Sequence, residues 1–253
     1  MILIIAAAII AALLLKVKSF PGIPAPSPSP SPSPSPSGII FSDGFENGFN
    51  AWEGTWISGA GVTMTVDPSA AHTGSYGCKI SGLTTNVNYD HYGICVKYLT
   101  PPQTGLYTQV YVKFTQELNV TANIGAMLYI IQHDAMNGGI SHACLVREGT
   151  GVYEWLIETS NAAGVIDDYT SVPFNGPITG VWYCLALYTY RSTTAGQVTM
   201  WANGVQVVNQ VGIDTGAVPT TAFRAEAWQI WGIPNAGTVY LDDVVSSTGY
   251  VGP

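Results

Sequence analysis

Short runs of β-branched and aromatic residues, separated by glycine, asparagine, aspartate and proline, fill this 253-residue chain from residue 39 onward. No part of this region shows the sustained 3.6-residue apolar period, with capping residues, that is typical of an amphipathic helix. Apolar runs bounded by turn formers predict strands instead. The predicted strands are Ile39–Phe41, Thr63–Val66, Gly77–Ser81, Gly93–Tyr98, Leu106–Phe114, Ala126–Gln132, His142–Arg147, Tyr153–Glu158, Trp182–Tyr190, Gln197–Ala202, Val205–Asn209, Ala225–Trp231 and Thr238–Val245. About a dozen strands without helices predict an all-β fold, either a two-sheet antiparallel sandwich or a barrel.

Two stretches indicate how some of these strands are placed. Asn203-Gly204 stands between two apolar runs. Both residues tolerate positive φ, so the pair predicts a tight hairpin. Trp182–Tyr190 is apolar at odd and even positions alike, which indicates a central strand covered on both faces. Residues 39–253 contain no internal repeat, and their length is ordinary for a single β-sandwich domain.

Two segments of different character precede this domain. Residues 1–20 include the uncharged apolar run Ile2–Leu15. As a helix it would be about 21 Å long, against about 30 Å for a bilayer core, so it suits a short membrane anchor or a signal segment. Residues 21–38 form a Pro/Ser-rich segment with strict Pro-Ser alternation from Pro26 to Ser37. Pro24 to Ser37 would form an extended linker on the order of 40 Å long. The sequence therefore predicts an extracellular or cell-surface domain, membrane-anchored or secreted.

Charge narrows the choice of partners. Only 9% of the residues are Asp, Glu, Lys or Arg, and the formal net charge is −8. An average protein has about 25% charged residues. An acidic chain without a basic cluster is a poor ligand for nucleic acid or for anionic lipid. We therefore expect no nucleic-acid partner, and membrane contact only through the N-terminal segment.

Four cysteines, Cys78, Cys95, Cys144 and Cys184, lack the close spacing of a metal site. An exported location permits disulfides. Cys78 and Cys95 lie in successive predicted strands and could face each other, which would leave Cys144 and Cys184 as a second pair. The alternative is that all four are buried free thiols, which behave as small apolar residues.

Several segments together resemble a known superfamily. The domain opens with Ser42-Asp43-Gly44-Phe45-Glu46-Asn47-Gly48 followed by Trp52, and continues with Ala71-His72-Thr73-Gly74-Ser75-Tyr76-Gly77, Trp182-Tyr183-Cys184-Leu185, Thr194-Ala195-Gly196-Gln197-Val198, Trp201-Ala202-Asn203-Gly204-Val205 and Val239-Tyr240-Leu241-Asp242-Asp243-Val244. These motifs resemble the concanavalin A-like lectin/glucanase superfamily in its laminin-G-like branch. The opening and closing motifs also resemble jelly-roll carbohydrate-binding modules. Both resemblances imply a jelly roll of two antiparallel sheets, one of them concave.

The resemblance also implies a structural calcium ion. In such jelly rolls the first and last strands often lie side by side, which would bring Asp43 and Glu46 near Asp242 and Asp243. Three or four carboxylates with nearby carbonyls suit Ca²⁺, which takes six to eight oxygen ligands. The alternative is that the aspartates cap turns and Glu46 is solvated.

Catalytic patterns of the superfamily are incomplete in this chain. Glucanases carry a Glu-x-Asp-x-x-Glu strand, whereas Glu154 and Glu158 are four residues, or roughly 13 Å, apart and the central aspartate is missing. Related polysaccharide lyases use Gln-x-His with a tyrosine, and Gln132-His133 departs from that spacing. Tyr188, Tyr190 and Arg191 are further residues of the right type, and Arg147 and Arg224 are possible neutralisers of a substrate carboxylate. The sequence favours binding over catalysis without deciding between them.

Sugar recognition needs aromatic rings beside polar groups. In Arg224-Ala225-Glu226-Ala227-Trp228, strand alternation gives one face Arg, Glu and Trp and the other face two alanines. The candidate glycan-binding residues on the concave sheet are Trp228, Glu226, Arg224, Glu154 and Gln132. The first hypothesis is thus a tethered domain that binds a polysaccharide or glycan without catalysis. The alternatives are a structural or adhesive subunit of a cell surface or virion that self-assembles through exposed strand edges, and a polysaccharide lyase.

Overall fold

The computed structural model describes residues 38–83, 91–118, 125–231 and 237–253. The predicted hydrophobic segment and nearly all of the predicted linker lie outside these ranges, so both stay predictions. Within the described ranges, no helix has the length and apolar character that a membrane span needs. Their regular structure consists of strands and one short 3₁₀ helix, Pro68–Ala70.

The strands form two antiparallel sheets. The eight-stranded sheet contains β1 (Ile39–Asp43), β3 (Thr63–Asp67), β4 (Gly77–Leu83), β6 (Gly105–Phe114), β11 (Trp182–Tyr190), β12 (Gly196–Ala202), β13 (Val205–Ile213) and β15 (Gly237–Ser247). The seven-stranded sheet contains β2 (Gly54–Ser58), β5 (His91–Gln103), β7 (Ala126–Ala135), β8 (Gly139–Arg147), β9 (Tyr153–Ser160), β10 (Ile166–Thr170) and β14 (Thr220–Trp231). The predicted two-sheet antiparallel sandwich is confirmed.

The chain crosses repeatedly between the two sheets, as in a jelly roll, although β7–β10 and β11–β13 are each consecutive strands within one sheet. The first sheet runs β13-β12-β11-β6-β15-β4-β3, with β1 paired to β15, and the second runs β10-β9-β8-β7-β14-β5-β2. The first and last strands are neighbours, as the resemblance implied: Asp43 pairs with Val244 in antiparallel register. The predicted hairpin joins β12 to β13, with φ of 50° at Asn203 and 76° at Gly204.

One hydrophobic core fills the space between the sheets. Leu185 and Leu187 contribute to it from the eight-stranded sheet, and Phe223, Ala225 and Ala227 from the seven-stranded sheet. Burying a leucine or phenylalanine side chain stabilises a fold by about 1.5–3 kcal/mol. The pattern also fixes the other face of β14, because the residues between Phe223, Ala225 and Ala227 must point away from the core.

Buried polar groups also join the two sheets, and we call them the inner polar cluster: His133, Thr108, Thr189, Arg191, Thr215 and Thr220. The two ring nitrogens of His133 lie 3.0 Å from the Thr189 hydroxyl and 2.9 Å from the Thr108 hydroxyl. Arg191 donates to the carbonyl oxygens of His133 and Thr215 and to the hydroxyl of Thr220. Burial, together with the charges of Arg191 and His142, lowers the pKa of His133 well below its ordinary value. The imidazole is therefore neutral, and its partners are hydroxyls rather than charges.

All four cysteines are buried. Cys78 and Cys95 both belong to the core, where the neighbouring Cys78 thiol and burial raise the pKa of the Cys95 thiol well above its ordinary value. Their disulfide stays a prediction. The predicted pairing of Cys144 with Cys184 is wrong, because Cys144 packs on the outer side of the seven-stranded sheet while Cys184 contacts Tyr111 on the eight-stranded sheet.

Candidate functional site

The outer face of the seven-stranded sheet, turned away from the core, carries most of the predicted binding residues. Arg224, Glu226 and Trp228 reach this face from β14 because Ala225 and Ala227 point into the core. Gln132 reaches it from β7, while its neighbour His133 points inward to the eight-stranded sheet. One strand alternation therefore separates a binding candidate from a structural residue.

Strand register places a line of polar residues across this face. Arg224 pairs with Gln132, Gln132 with His142, His142 with Glu158, and Glu158 with Asp168. Neighbouring strands lie about 4.8 Å apart, so each side chain in this polar row can contact the next. Five strands thus contribute one residue each to a continuous polar strip.

Arg224 stands at one end of the polar row with three partners. Its guanidinium donates to Gln132 Oε1 at 2.9 Å and to Asp134 Oδ2 at 3.1 Å. Its guanidinium carbon lies 5.0 Å from the ring centroid of Trp56, a residue of the edge strand β2 that is 41% exposed. The charge of Arg224 is therefore already balanced by one carboxylate.

His142 and Glu158 form the second close pair of the row. His142 Nδ1 lies 3.4 Å from Glu158 Oε1, and the Tyr129 hydroxyl donates to the same oxygen at 2.7 Å. The Tyr129 ring stacks on the imidazole with centroids 4.0 Å apart and planes 9° apart. Burial raises the pKa of Glu158, but hydrogen bonds from His142 and Tyr129 and the charge of His142 outweigh burial, so the pKa lies below its ordinary value. Glu158 is thus ionised and aligns the imidazole.

Glu226 differs from every other member of this face. It is 0% exposed, and neither of its carboxyl oxygens has a hydrogen-bond partner among the described residues. His142 Nε2 and Arg224 Nε are also buried without a partner there. Burial raises the pKa of Glu226, although the charges of His142 and Arg224 partly oppose the rise. Buried polar atoms nearly always have a hydrogen-bond partner, so several buried atoms without one, gathered on one face, indicate a ligand site.

Aromatic and aliphatic side chains surround these unpartnered atoms. The Trp228 ring makes edge contacts with Tyr92 at 5.5 Å and with Tyr129 at 5.6 Å. Trp228 also packs against both apolar clusters of this face, which comprise Met127, Tyr129, Cys144, Val146 and Leu156 on one side and Ile94, Val96 and Ala222 on the other. An apolar surround with a few oriented polar groups is the usual composition of a small-molecule or sugar site.

Four of the five predicted binding residues thus lie together, and Glu154 does not join them. It points to the same face of β9 but near Thr170 and Glu148, at the other end of the strand from Glu158. Sequence reasoning missed His142, Glu158 and Tyr129 as members of one group. The alternation of His142 with Cys144 and Val146 was a readable signal for the face, but only the pairing of β7, β8 and β9 brings the three together.

The predicted calcium ligands gather around one loop, residues 72–76. Asp43 accepts from Phe45 N at 3.1 Å and Trp52 Nε1 at 2.7 Å. The three other carboxylates bind the loop itself: Asp242 accepts from the amides of His72 and Thr73, Asp243 contacts the His72 ring and the Thr73 hydroxyl, and Glu46 accepts from the amides of Ser75 and Tyr76. Within the described residues, no three His, Cys, Asp or Glu side chains are arranged to hold a metal ion. These carboxylates fit N–H and O–H donors better than Ca²⁺, and calcium stays a prediction.

Two surface depressions lie away from Glu226. One, of about 300 Å³, is lined by Trp155, Ser171, Val172, Phe174, Gln206 and Val207. The other, of about 360 Å³, begins at Asp134 and extends along the β7–β8 turn. Neither contains an unpartnered buried charge, so the open atoms of the outer face are the better indicator of a site.

Comparisons with known proteins agree with this architecture. No protein-family model matches the chain, and no curated protein matches its sequence. A crystal structure of endo-β-1,4-glucuronan lyase from the fungus Trichoderma reesei aligns with a TM-score of 0.59 at 13% identity, covering 83% of this chain and 95% of that one. Alginate lyase vAL-1 from Chlorella virus aligns with a TM-score of 0.56 at 12% identity, covering 84% and 100%.

A third structure, of botulinum neurotoxin type C, is described by its interaction with two ganglioside molecules. It aligns with a TM-score of 0.51 at 11% identity, covering 83% of this chain and 48% of that one. Identities this low establish the fold alone. The domain shares a two-sheet jelly-roll sandwich fold with these structures.

Proposed function

We propose that the outer face of the seven-stranded sheet binds a glycan without catalysing its cleavage. The observation that carries this proposal is the group of buried, unpartnered polar atoms on Glu226, His142 and Arg224 beside the ring of Trp228. Sugars present hydroxyl groups around the edge of the ring and C–H bonds on its faces. Open acceptors and donors suit the hydroxyls, and aromatic rings suit the apolar faces.

The other proteins of this fold support a saccharide as the ligand class. The lyases are named for glucuronan and alginate, and the neurotoxin structure is described by ganglioside interaction. The sequence also supports a location outside the cell. An apolar segment in residues 1–20 and a Pro-Ser linker in residues 21–38 suit a domain displayed outside a membrane.

A polysaccharide lyase is the second candidate, favoured by the contact of His142 with Glu158 and Tyr129. A carboxylate-aligned imidazole with an open Nε2 can accept a proton, and a tyrosine can donate one. Elimination also needs a cation to neutralise the substrate carboxylate, and Arg224 is already bound to Asp134. Binding is therefore the better supported function.

A glycan array followed by titration calorimetry tests the proposal. Trp228→Ala should weaken binding of the selected glycan by about tenfold or more, because the variant loses a stacking surface. Trp201→Ala is the matched control, since Trp201 packs with Tyr107 and Tyr250 on the eight-stranded sheet. Equal loss in both variants, or no glycan bound by the wild type, would contradict the proposal. Thermal melts confirm that each variant is folded.

The same preparations separate binding from lyase activity. Incubation with glucuronan and alginate should leave the ultraviolet absorbance of unsaturated uronate products unchanged. A steady rise in that absorbance, abolished in His142→Ala, would replace the binding proposal with the lyase.

A further inference from the structure

One carboxyl group on the outer face lacks a partner, and it belongs to Glu226. Arg224 is paired with Asp134 at 3.1 Å, and His142 lies 3.4 Å from Glu158. Each of these two side chains thus has its own carboxylate. Glu226 is fully buried and has neither a direct ion-pair partner nor a hydrogen-bond donor among the described residues.

The surroundings of Glu226 are those of a cation site rather than of an ordinary core residue. Its side chain shares a face with Trp228, whose ring contacts Tyr92 and Tyr129 edge-on. Aromatic rings stabilise an adjacent ammonium group, and a carboxylate supplies the opposite charge. A buried carboxyl without a partner is costly in the free protein, so a group that completes it should bind strongly.

We infer that the ligand is an amino sugar whose free ammonium group binds the Glu226 carboxyl among these aromatic rings. The inference rests on the proposed function, since it names the class of glycan that the same face recognises. An acidic polysaccharide would place carboxylates against Asp134, Glu158 and Glu226 on a chain with a net charge of −8. A neutral sugar would offer hydroxyl donors but leave the charge of Glu226 uncompensated.

Four oligosaccharides of equal length test this inference, because they share one backbone. All are β-1,4-linked, and their repeating units are glucosamine, N-acetylglucosamine, glucose and glucuronic acid. They differ only in the group at C2 or C6, so titration of the full chain with each isolates the contribution of the ammonium group. The glucosamine series should bind about tenfold or more tightly than the acetylated series, under conditions where its amine is protonated.

Glu226→Gln assigns that preference to one residue. The amide keeps the size and the hydrogen-bonding oxygen but removes the charge, so it should erase the difference between the glucosamine and N-acetylglucosamine series. Glu148→Gln, at an exposed position after β8, removes the same charge elsewhere and should leave the preference unchanged. Thermal melts of both variants show whether folding is preserved.

The outcomes separate this inference from the proposed function. Tighter binding of glucose or acetylated oligosaccharides than of glucosamine oligosaccharides overturns the inference and leaves glycan binding intact. Preferential binding of the glucuronic acid series also overturns it. If none of the four binds, the amino-sugar inference fails, and the glycan array decides the proposed function on its own.

Discussion

Two groups of buried polar residues in this domain differ in how fully their atoms are hydrogen-bonded. In the inner polar cluster, both ring nitrogens of His133 are bonded, and Arg191 reaches three acceptors. On the outer face, Glu226 has no partner among the described residues, and His142 and Arg224 each have one unpartnered nitrogen there. Burial alone therefore does not distinguish a structural polar residue from a functional one, whereas unfilled hydrogen-bonding capacity does.

The comparison predicts effects of opposite sign on stability. Residues of the inner polar cluster stabilise the fold. Removing one of these side chains leaves its buried partners without a hydrogen bond, which costs free energy. Glu226 destabilises the free protein, because it is buried without compensation. A functional group that costs stability is expected where a binding site is prepared in advance of its ligand.

The largest effect should follow from Arg191→Met. This change leaves the carbonyl oxygens of His133 and Thr215 without their donor. An unpaired buried acceptor costs about 1–3 kcal/mol, so the free energy of unfolding should fall by roughly 3 kcal/mol or more. Urea denaturation measures the change. Lys79→Met, which breaks a partly exposed ion pair with Asp67, should cost about 1 kcal/mol or less. Similar losses in the two variants would contradict the structural role of Arg191.

The next effect has the opposite sign. Glu226→Leu removes an unpaired buried carboxyl and joins the apolar clusters around Trp228. The free energy of unfolding should rise by about 1–3 kcal/mol, while glycan binding is lost. Urea denaturation and calorimetry on one preparation measure both properties. A variant that is less stable than the wild type would show that Glu226 is a structural residue after all.

The dependence on pH sharpens the same contrast. The folded-state pKa of Glu226 lies above its ordinary value of 4.5, so the folded protein holds this proton more tightly than the unfolded chain. Ionising Glu226 therefore costs stability once the pH rises above 4.5, and the cost grows until the folded pKa is passed. The stability advantage of Glu226→Leu should increase over that range and then level off. Denaturation curves at several pH values test this, and an advantage that shrinks with rising pH would refute it.

His133 should act in the opposite direction. Its pKa in the folded protein lies well below 6.5, so the unfolded chain binds the proton more readily. Stability contributed by the neutral imidazole is complete above pH 6.5 and is lost as the pH falls below that value. In His133→Asn this acid-side loss should be reduced, as measured by the slope of unfolding free energy against pH. An unchanged slope would assign the acid sensitivity to other groups.

The smallest effect concerns calcium. Because protein donors, many of them in the 72–76 loop, already occupy most oxygens of the four predicted ligands, adding Ca²⁺ or EDTA should change the melting temperature by less than about 2 °C. A rise of several degrees with Ca²⁺, reversed by EDTA and absent in Asp242→Asn, would establish the calcium site that the family resemblance implied.

Much of the fold could be predicted from the sequence, because apolar strands have a recognisable residue pattern. Trp182–Tyr190 was predicted with the bounds that the structure gives to β11. The two unpredicted strands, β2 and β10, are the outermost strands of the seven-stranded sheet, and their residues are mostly exposed. An edge strand buries little, so selection for apolar residues is weak and the sequence pattern is faint.

For a related reason, only part of the candidate site could be predicted from the sequence. Alternation along β14 placed Arg224, Glu226 and Trp228 on one face from sequence alone. Gln132, His142 and Glu158 lie side by side because of the register of three separate strands, which no local sequence pattern encodes. The wrong pairing of Cys144 with Cys184 has the same cause, since it was inferred without knowing which sheet carries each residue.

The neighbouring first and last strands have a consequence for the order of the chain. Thr248 N donates to the carbonyl oxygen of Gly38, so the two ends of the folded domain meet. A short peptide could therefore join them, and a new start could be opened between Asn203 and Gly204, in an exposed turn that carries no core residue. Such a circularly permuted domain would keep both sheets while reversing which half emerges first during synthesis.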